Sequence, residues 1–246
     1  MQSVMLSRRA LIFLFVVWAL VALYPDPTVL VRSVRNTLQP QIQPQAVAAI
    51  AARLPNDPRA IEAYVLDRQV PYAYDWKTAG VPWYFPTTAE ALRMHAGDCE
   101  SRAVVLASLL TAKGIPNHLY MSLDHIWVDY PGKTANAIEN PTVQIAGRQN
   151  GHWFFYLPKY FDLRAEWATQ VGQYVTPAPL WRVVLLLAGL SLVLLWNALA
   201  RLLGAGRLAA DGLLPAEWPA HRRLFRRRPA PVPAHRLFGL PGPQRA

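Results

Sequence analysis

Residues 95–105 read HAGDCESRAVV and contain Cys99, the one cysteine in 246 residues. A lone thiol is buried and inert, paired with another molecule, or kept free for chemistry. Its position favours chemistry. A helix is predicted from about Cys99 to Lys113, which puts the thiol in the first turn. There the unpaired backbone N–H groups and the helix dipole favour an anion, so the thiol pKa is expected to fall. The same N–H groups can stabilise a developing oxyanion. A packing cysteine would sit further along, among Val104 to Leu110. A thiol nucleophile needs a base, and the base needs an orienting partner. His95, His118, His125 and His152 are available. Of these, His125 opens a predicted strand (HIWVDY) and can project from a sheet edge towards the helix start. Asn140 heads a further predicted strand, where its side-chain carbonyl can accept from an imidazole N–H. Taken singly these are weak signals, since an isolated histidine is usually a surface residue and an Asn before Pro a turn former. One Cys and scattered His give no metal-ligand spacing of the usual kind, and no cofactor is expected.

The elements that must carry these residues follow from local pattern. Gln45–Leu54 is helical by composition. Asp57 caps the next helix with Pro58 at its first position. Residues 70–86, VPYAYDWKTAGVPWYFP, are aromatic and proline-rich and read as an ordered loop. Thr87 and Glu90 have the spacing of a capping box and open a short helix to about Met94. The Cys99 helix has Ala103, Leu106, Ala107 and Leu110 on one face and ends at Gly114. Then the period changes to that of strands, expected at Asn117–Leu123, His125–Tyr130, about Ile138–Ile145 and Trp153–Leu157. Helices followed by antiparallel strands imply an α+β layer fold.

In order, the stretch presents Gly97-x-Cys99 at a helix start, Gly114-Ile115-Pro116 at its end, His125-x-Trp127-Val128 in a strand, and Asn140-Pro141-Thr142. Residues 57–146 resemble the transglutaminase-like superfamily of papain-type cysteine enzymes, and IEAYVLDRQVPYAY upstream is similar in kind. The resemblance implies Cys99 as nucleophile, His125 as general base and acid, and Asn140 as orienting residue, where the family usually has Asp. Asn can accept the imidazole hydrogen bond but cannot stabilise an imidazolium with a full charge. Asp124 and Glu139 are alternative carboxylates, each expected on the opposite strand face from its neighbour in the motif. An upstream aromatic, Trp83 or Tyr84, is expected to help hold the oxyanion. The implied fold is a papain/transglutaminase-like core, a Cys-bearing helix packed on an antiparallel sheet. The implied activity is acyl transfer from, or hydrolysis of, an amide in a protein or peptide substrate. The competing reading is an inactive domain of the same kind serving as a membrane scaffold or partner-binding module.

Two apolar blocks without charged side chains, residues 10–24 and 183–200, flank this region. The second approaches the ~20 residues needed to cross a bilayer. The first is shorter and ends Ala22-Leu23-Tyr24-Pro25, a poor signal cleavage site, so it is read as an uncleaved anchor. The net charge of +10 lies in the flanks. Residues 1–24 carry Arg8 and Arg9 and no acid, residues 25–179 balance thirteen bases with thirteen acids, and residues 180–246 set ten arginines against Asp211 and Glu217. A neutral middle argues against nucleic-acid binding, and basic flanks mark the cytoplasmic side of a membrane. The expected organisation is an anchor at 1–24, a stalk at 25–44, an extracytoplasmic (periplasmic) domain at 45–176, a second transmembrane helix at 180–203 and a basic, disordered cytoplasmic tail at 204–246. That is a two-pass protein of the inner membrane, in contact with lipid, with both termini in the cytoplasm. Oligomeric state is left open.

Overall fold

A computed structural model describes residues 7–149, 151–159 and 162–210. Most of the expected tail, residues 211–246, lies outside the described residues. Its first seven residues continue the last helix, α9 (Leu180–Ala210).

The chain opens with α1 (Arg8–Leu23), capped by Ser7, whose Oγ accepts from Ala10 N. The stretch expected as a stalk holds a helix, α2 (Pro27–Leu38). It starts where Asp26 accepts from Thr28 N at 2.9 Å with Pro27 at the first position, the same device that starts α4 (Pro58–Tyr64) at Asp57. The two helices α1 and α2 bend by 85° at Tyr24–Asp26. Between α2 and α4, a 3-10 turn at Pro44–Val47 leads into α3 (Ala48–Ala51). Beyond α4, a π turn at Val65–Gln69 leads into the aromatic loop, which contains the single turn α5 (Asp75–Thr78). The capping box at Thr87 and Glu90 forms as expected and starts α6 (Thr88–Met94).

The centre of the domain is α7 (Cys99–Ala112), buried from Cys99 to Ser101 and from Ala103 to Leu110. It is buried on nearly every side, which suits a helix wrapped by others rather than one lying on a surface. The 3-10 turn, α3, α4 and α6 pack round it, with the sheet on the remaining side. Gly97, just ahead of it, pairs with Tyr72 in an isolated bridge, and a Cβ there would overlap Ser101. Only glycine lets the chain enter the helix so closely.

The sheet has four antiparallel strands in the order β2 (Ile126–Asp129), β1 (His118–Met121), β3 (Ala146–Gln149), β4 (His152–Phe155). Leu119 pairs with Val128, Tyr120 with Gly147, and Gly147 with Phe154. The strand expected at Ile138–Ile145 is absent; residues 137–145 form turns and bends, and pairing begins at Ala146. The reason is local: Pro141 has no N–H to donate, and the Asn136 and Asn140 side chains bond neighbouring backbone instead.

After β4 the chain passes through α8 (Leu163–Gln170) and a π turn, Val171–Val175, into α9. α9 runs antiparallel to α1. Trp18 Nε1 donates to Leu185 O at 3.0 Å over Gly189, where any Cβ would strike the Trp18 ring. Arg182 Nη1 donates to Ala22 O and Leu23 O at 2.9 and 2.7 Å, satisfying carbonyls at the end of α1. Among the described residues, no single helix is long and apolar enough to cross a membrane. Two bent pairs meet the test together: Arg9–Leu23 with Pro27–Leu38, and Leu163–Val175 with Leu180–Trp196, the latter bent by 106°.

Candidate active site

Cys99 stands at the first position of α7, as the sequence predicts, with Asp98 in extended conformation at the cap. Its surroundings are less simple than a bare helix start. Cys99 is 8% exposed, and its Sγ donates to Glu100 Oε2 at 3.0 Å. Asp98 and Asp75 are 3% exposed and Glu100 7%; Asp98 and Glu100 crowd the thiol, and Asp75 lies against those two acids. Burial pushes the Cys99 thiol well above its usual range, and the charges of Glu100 and Asp98 push it further; the Ile126 N–H pulls the other way and loses. The expected lowering of this pKa is therefore overturned: desolvation and neighbouring anions outweigh the helix dipole. The resting group is a thiol.

The acids push one another up as well. Burial and then the charge of Glu100 raise Asp75 to about 8. Asp98 is also driven far up, by burial first and then by Glu100 and Asp75. Asp75 Oδ2 accepts from Tyr84 N at 2.5 Å, and Glu100 Oε1 accepts from Trp83 Nε1 at 3.0 Å. Asp98, Cys99 and Glu100 each bring one ligand-capable atom within 4.8 Å of the others, so these residues could hold a metal ion although their sequence pattern suggests none.

A cleft of about 520 Å³ opens beside the thiol, and both Cys99 and His125 line it. His125 lies one residue ahead of β2, its ring stacked on Trp127 with the planes 9° apart. Its Nε2 sits 2.9 Å from Glu139 Oε1; among the described residues the ring makes no hydrogen bond to Cys99 Sγ, which is bonded to Glu100 instead. Glu139 Oε2 in turn takes Lys133 Nζ at 3.0 Å and Asn136 Nδ2 at 3.2 Å. Lys133 uses its remaining donors on Glu62 Oε1 (2.7 Å) and Val128 O (2.9 Å), while Tyr130 donates to Glu62 Oε2 at 2.6 Å. Burial opposes ionisation of Glu139, but the bonds from His125 and Lys133 win and bring its carboxyl down to about 2.

Asn140 is not the imidazole's partner in this geometry. Its Nδ2 donates to Asn136 O and Ala137 O at 2.8 and 3.1 Å, and its Oδ1 accepts from the Thr142 N–H and hydroxyl. All four contacts close a local turn, the ordinary work of an Asn before Pro. Glu139 takes the place on the ring, and strand alternation does not exclude it because no strand forms there. Trp83 reaches the site only through Glu100. Tyr84 contributes its backbone N–H to Asp75, while its side chain packs with Tyr24 and Val81. Neither lines the cleft. The backbone group that acts on the thiol is the Ile126 N–H at the start of β2, which favours the thiolate.

Set against protein-family models, curated proteins and solved structures, the chain finds no match in any of the three.

Proposed function

We propose that this protein is a membrane-anchored, thiol-dependent acyl-transfer enzyme of transglutaminase-like character. The observation that carries the reading is that Cys99 and His125 line one cleft while a clamped, ionised Glu139 holds the imidazole at Nε2. His125 takes the thiol proton as sulfur attacks an amide carbonyl, and the ionised Glu139 stabilises the imidazolium that forms. The imidazolium then delivers that proton to the leaving amine as the C–N bond breaks, leaving a thioester. Water as acceptor makes the enzyme a protease or deamidase, and an amine makes it a cross-linker. The carboxylate on the ring supplies the full charge that an Asn partner lacks.

The charge-free runs 10–24 and 183–200, which belong to the two bent helix pairs, and the basic flanks in the sequence support a two-pass placement with the domain outside the cytoplasm. A membrane-impermeant maleimide applied to intact cells checks it: Cys residues introduced in the domain are labelled, and those introduced in the tail are not.

Labelling of Cys99 by iodoacetamide at neutral pH, in wild type and in His125→Ala, tests the chemistry. Faster labelling of wild type supports an activated pair, and equal rates overturn it. A second reading, a catalytically inactive domain used as a scaffold, is favoured by one observation, the thiol's hydrogen bond to Glu100. Turnover of any amide by wild type, abolished in Cys99→Ala, eliminates that reading.

A further inference from the structure

Arg102 follows Cys99 by three residues on α7, and both line the cleft. Residues so spaced are neighbours on one helix face, with Cβ atoms roughly 5–6 Å apart. Its guanidinium is fixed from two sides. Nε donates to Val70 O at 3.0 Å and Nη2 to Leu66 O at 3.3 Å, and the group lies over the Tyr72 ring, 5.1 Å from its centroid. Those bonds tie the end of the π turn to α7. They do not use Nη1, which has no hydrogen bond among the described residues.

The charges along the cleft are uneven. Its carboxylates are Glu62 and Glu139, and Lys133 bonds both of them. Arg59 lines it too, with Nε and Nη2 both on Gly132 O at 3.2 and 2.6 Å. Neither Arg59 nor Arg102 forms an ion pair among the described residues. The one lysine is matched twice over, and two arginines are left with neutral carbonyls. A planar guanidinium with free N–H donors is the group best suited to a carboxylate.

We infer that the cleft selects substrates bearing a carboxylate next to the carbonyl that Cys99 attacks, held by Arg102 and assisted by Arg59. The inference rests on the acyl-transfer reading for its meaning, since it names the substrate class of that site, and its test reads the two separately. A carboxylate on the residue adjoining the reacting amide falls within the span set by one helical turn.

The probes are iodoacetate and iodoacetamide, which place the same electrophile on the thiol with and without a carboxylate. The quantity read is the ratio of their alkylation rates at Cys99 in the full chain, held in non-ionic detergent, relative to the same ratio for free cysteine. Because both reagents meet the same thiol, its intrinsic reactivity cancels. A cation beside the reagent's carboxylate raises the ratio, while Glu100, whose Oε2 lies 3.0 Å from Sγ, lowers it in wild type and arginine variants alike. The expected result is a higher ratio in wild type than in either glutamine variant. It falls in Arg102→Gln and, by less, in Arg59→Gln, is largely kept in Arg102→Lys, and declines as salt is raised. Arg59 is exposed, so Arg59→Gln and the salt series remain readable if Arg102→Gln does not fold. A ratio that ignores both glutamines and salt overturns the inference, as does a Cys99 that neither reagent labels. A ratio that responds to Arg102 while iodoacetamide labels wild type and His125→Ala equally upholds the anion site and sinks the activated pair.

Discussion

Glu139 Oε1 stands 2.9 Å from His125 Nε2, while the amide of Asn140, the next residue, is committed wholly to a turn. The two positions therefore make opposite predictions. Glu139→Gln removes the charge that supports an imidazolium and lowers turnover on the order of 10²-fold or more. Asn140→Ala removes local turn bonds and lowers stability by about 1 kcal/mol, with turnover close to wild type. Thermal unfolding and alkylation of Cys99 at pH 7, measured on both variants, separate them. A slow, well-folded Asn140→Ala beside a fully reactive Glu139→Gln would restore Asn140 to the imidazole.

Lys133 is 7% exposed at its side chain and lies against both Glu62 and Glu139. Lys133→Met leaves two carboxylates facing each other without their cation, a loss of about 3–5 kcal/mol for a broken buried pair. It also raises the Glu139 carboxyl from about 2. Because that pKa is lowered in the fold, its stabilisation is present above the ordinary carboxylate range and is lost as pH falls towards 2. The variant should unfold at higher pH than wild type on acidification, and any acid limb of activity should move up with it. Adding Glu62→Gln to Lys133→Met should recover part of the loss. An acid transition unchanged by Lys133→Met would remove the clamp from the account.

How far the sequence reveals this arrangement depends on whether the signal is local. The Thr87–Glu90 capping box, the Asp57-Pro58 start and the Gly114 stop, with φ of 68°, all rest on a few adjacent residues and are legible. Asp26-Pro27 carries the same start signal as Asp57-Pro58, and α2 is open to the same reasoning. Glu139 is hidden by a strand expectation that Pro141 and two Asn side chains defeat. The acid cluster is hidden for another reason: Asp75 comes from the aromatic loop and meets Asp98 and Glu100 only through tertiary packing. The rise in the Cys99 pKa has a different source: burial leads it, and the charges that add to it belong to Glu100 and Asp98, the residues on either side of the cysteine in the sequence.

Asp75 offers a test of that cluster at the alkaline end. Its folded pKa, about 8, lies above the ordinary carboxylate value because of burial and then Glu100. The sign is therefore opposite to that of Glu139. The folded protein holds the proton more tightly, so the stabilisation is complete at acid pH and is lost as pH rises through about 8. Wild type should melt at a lower temperature at pH 9 than at pH 6. Asp75→Asn keeps an acceptor for Tyr84 N–H while removing the titrating group, and it should flatten that slope. An equal slope in both proteins would show that Asp75 does not titrate in this range.

The thiol itself supplies the last prediction. Sγ is bonded to Glu100 Oε2, and the Glu100 charge is, after burial, the leading cause of its raised pKa. Alkylation of wild-type Cys99 should therefore keep rising with pH beyond the usual thiol range, with no plateau near neutrality. Glu100→Gln retains an acceptor for Trp83 Nε1 and removes the anion. Its labelling curve should move to lower pH, and a thiol that is tenfold more acidic carries about tenfold more thiolate at pH 7. The gain in labelling is smaller than that, because a less basic thiolate is a weaker nucleophile. If Glu100→Gln leaves the curve in place, the carboxylate does not govern the sulfur and burial alone sets its pKa. A curve displaced to higher pH would mean that Glu100 accepts the thiol's proton and acts as its base, displacing His125 from that role.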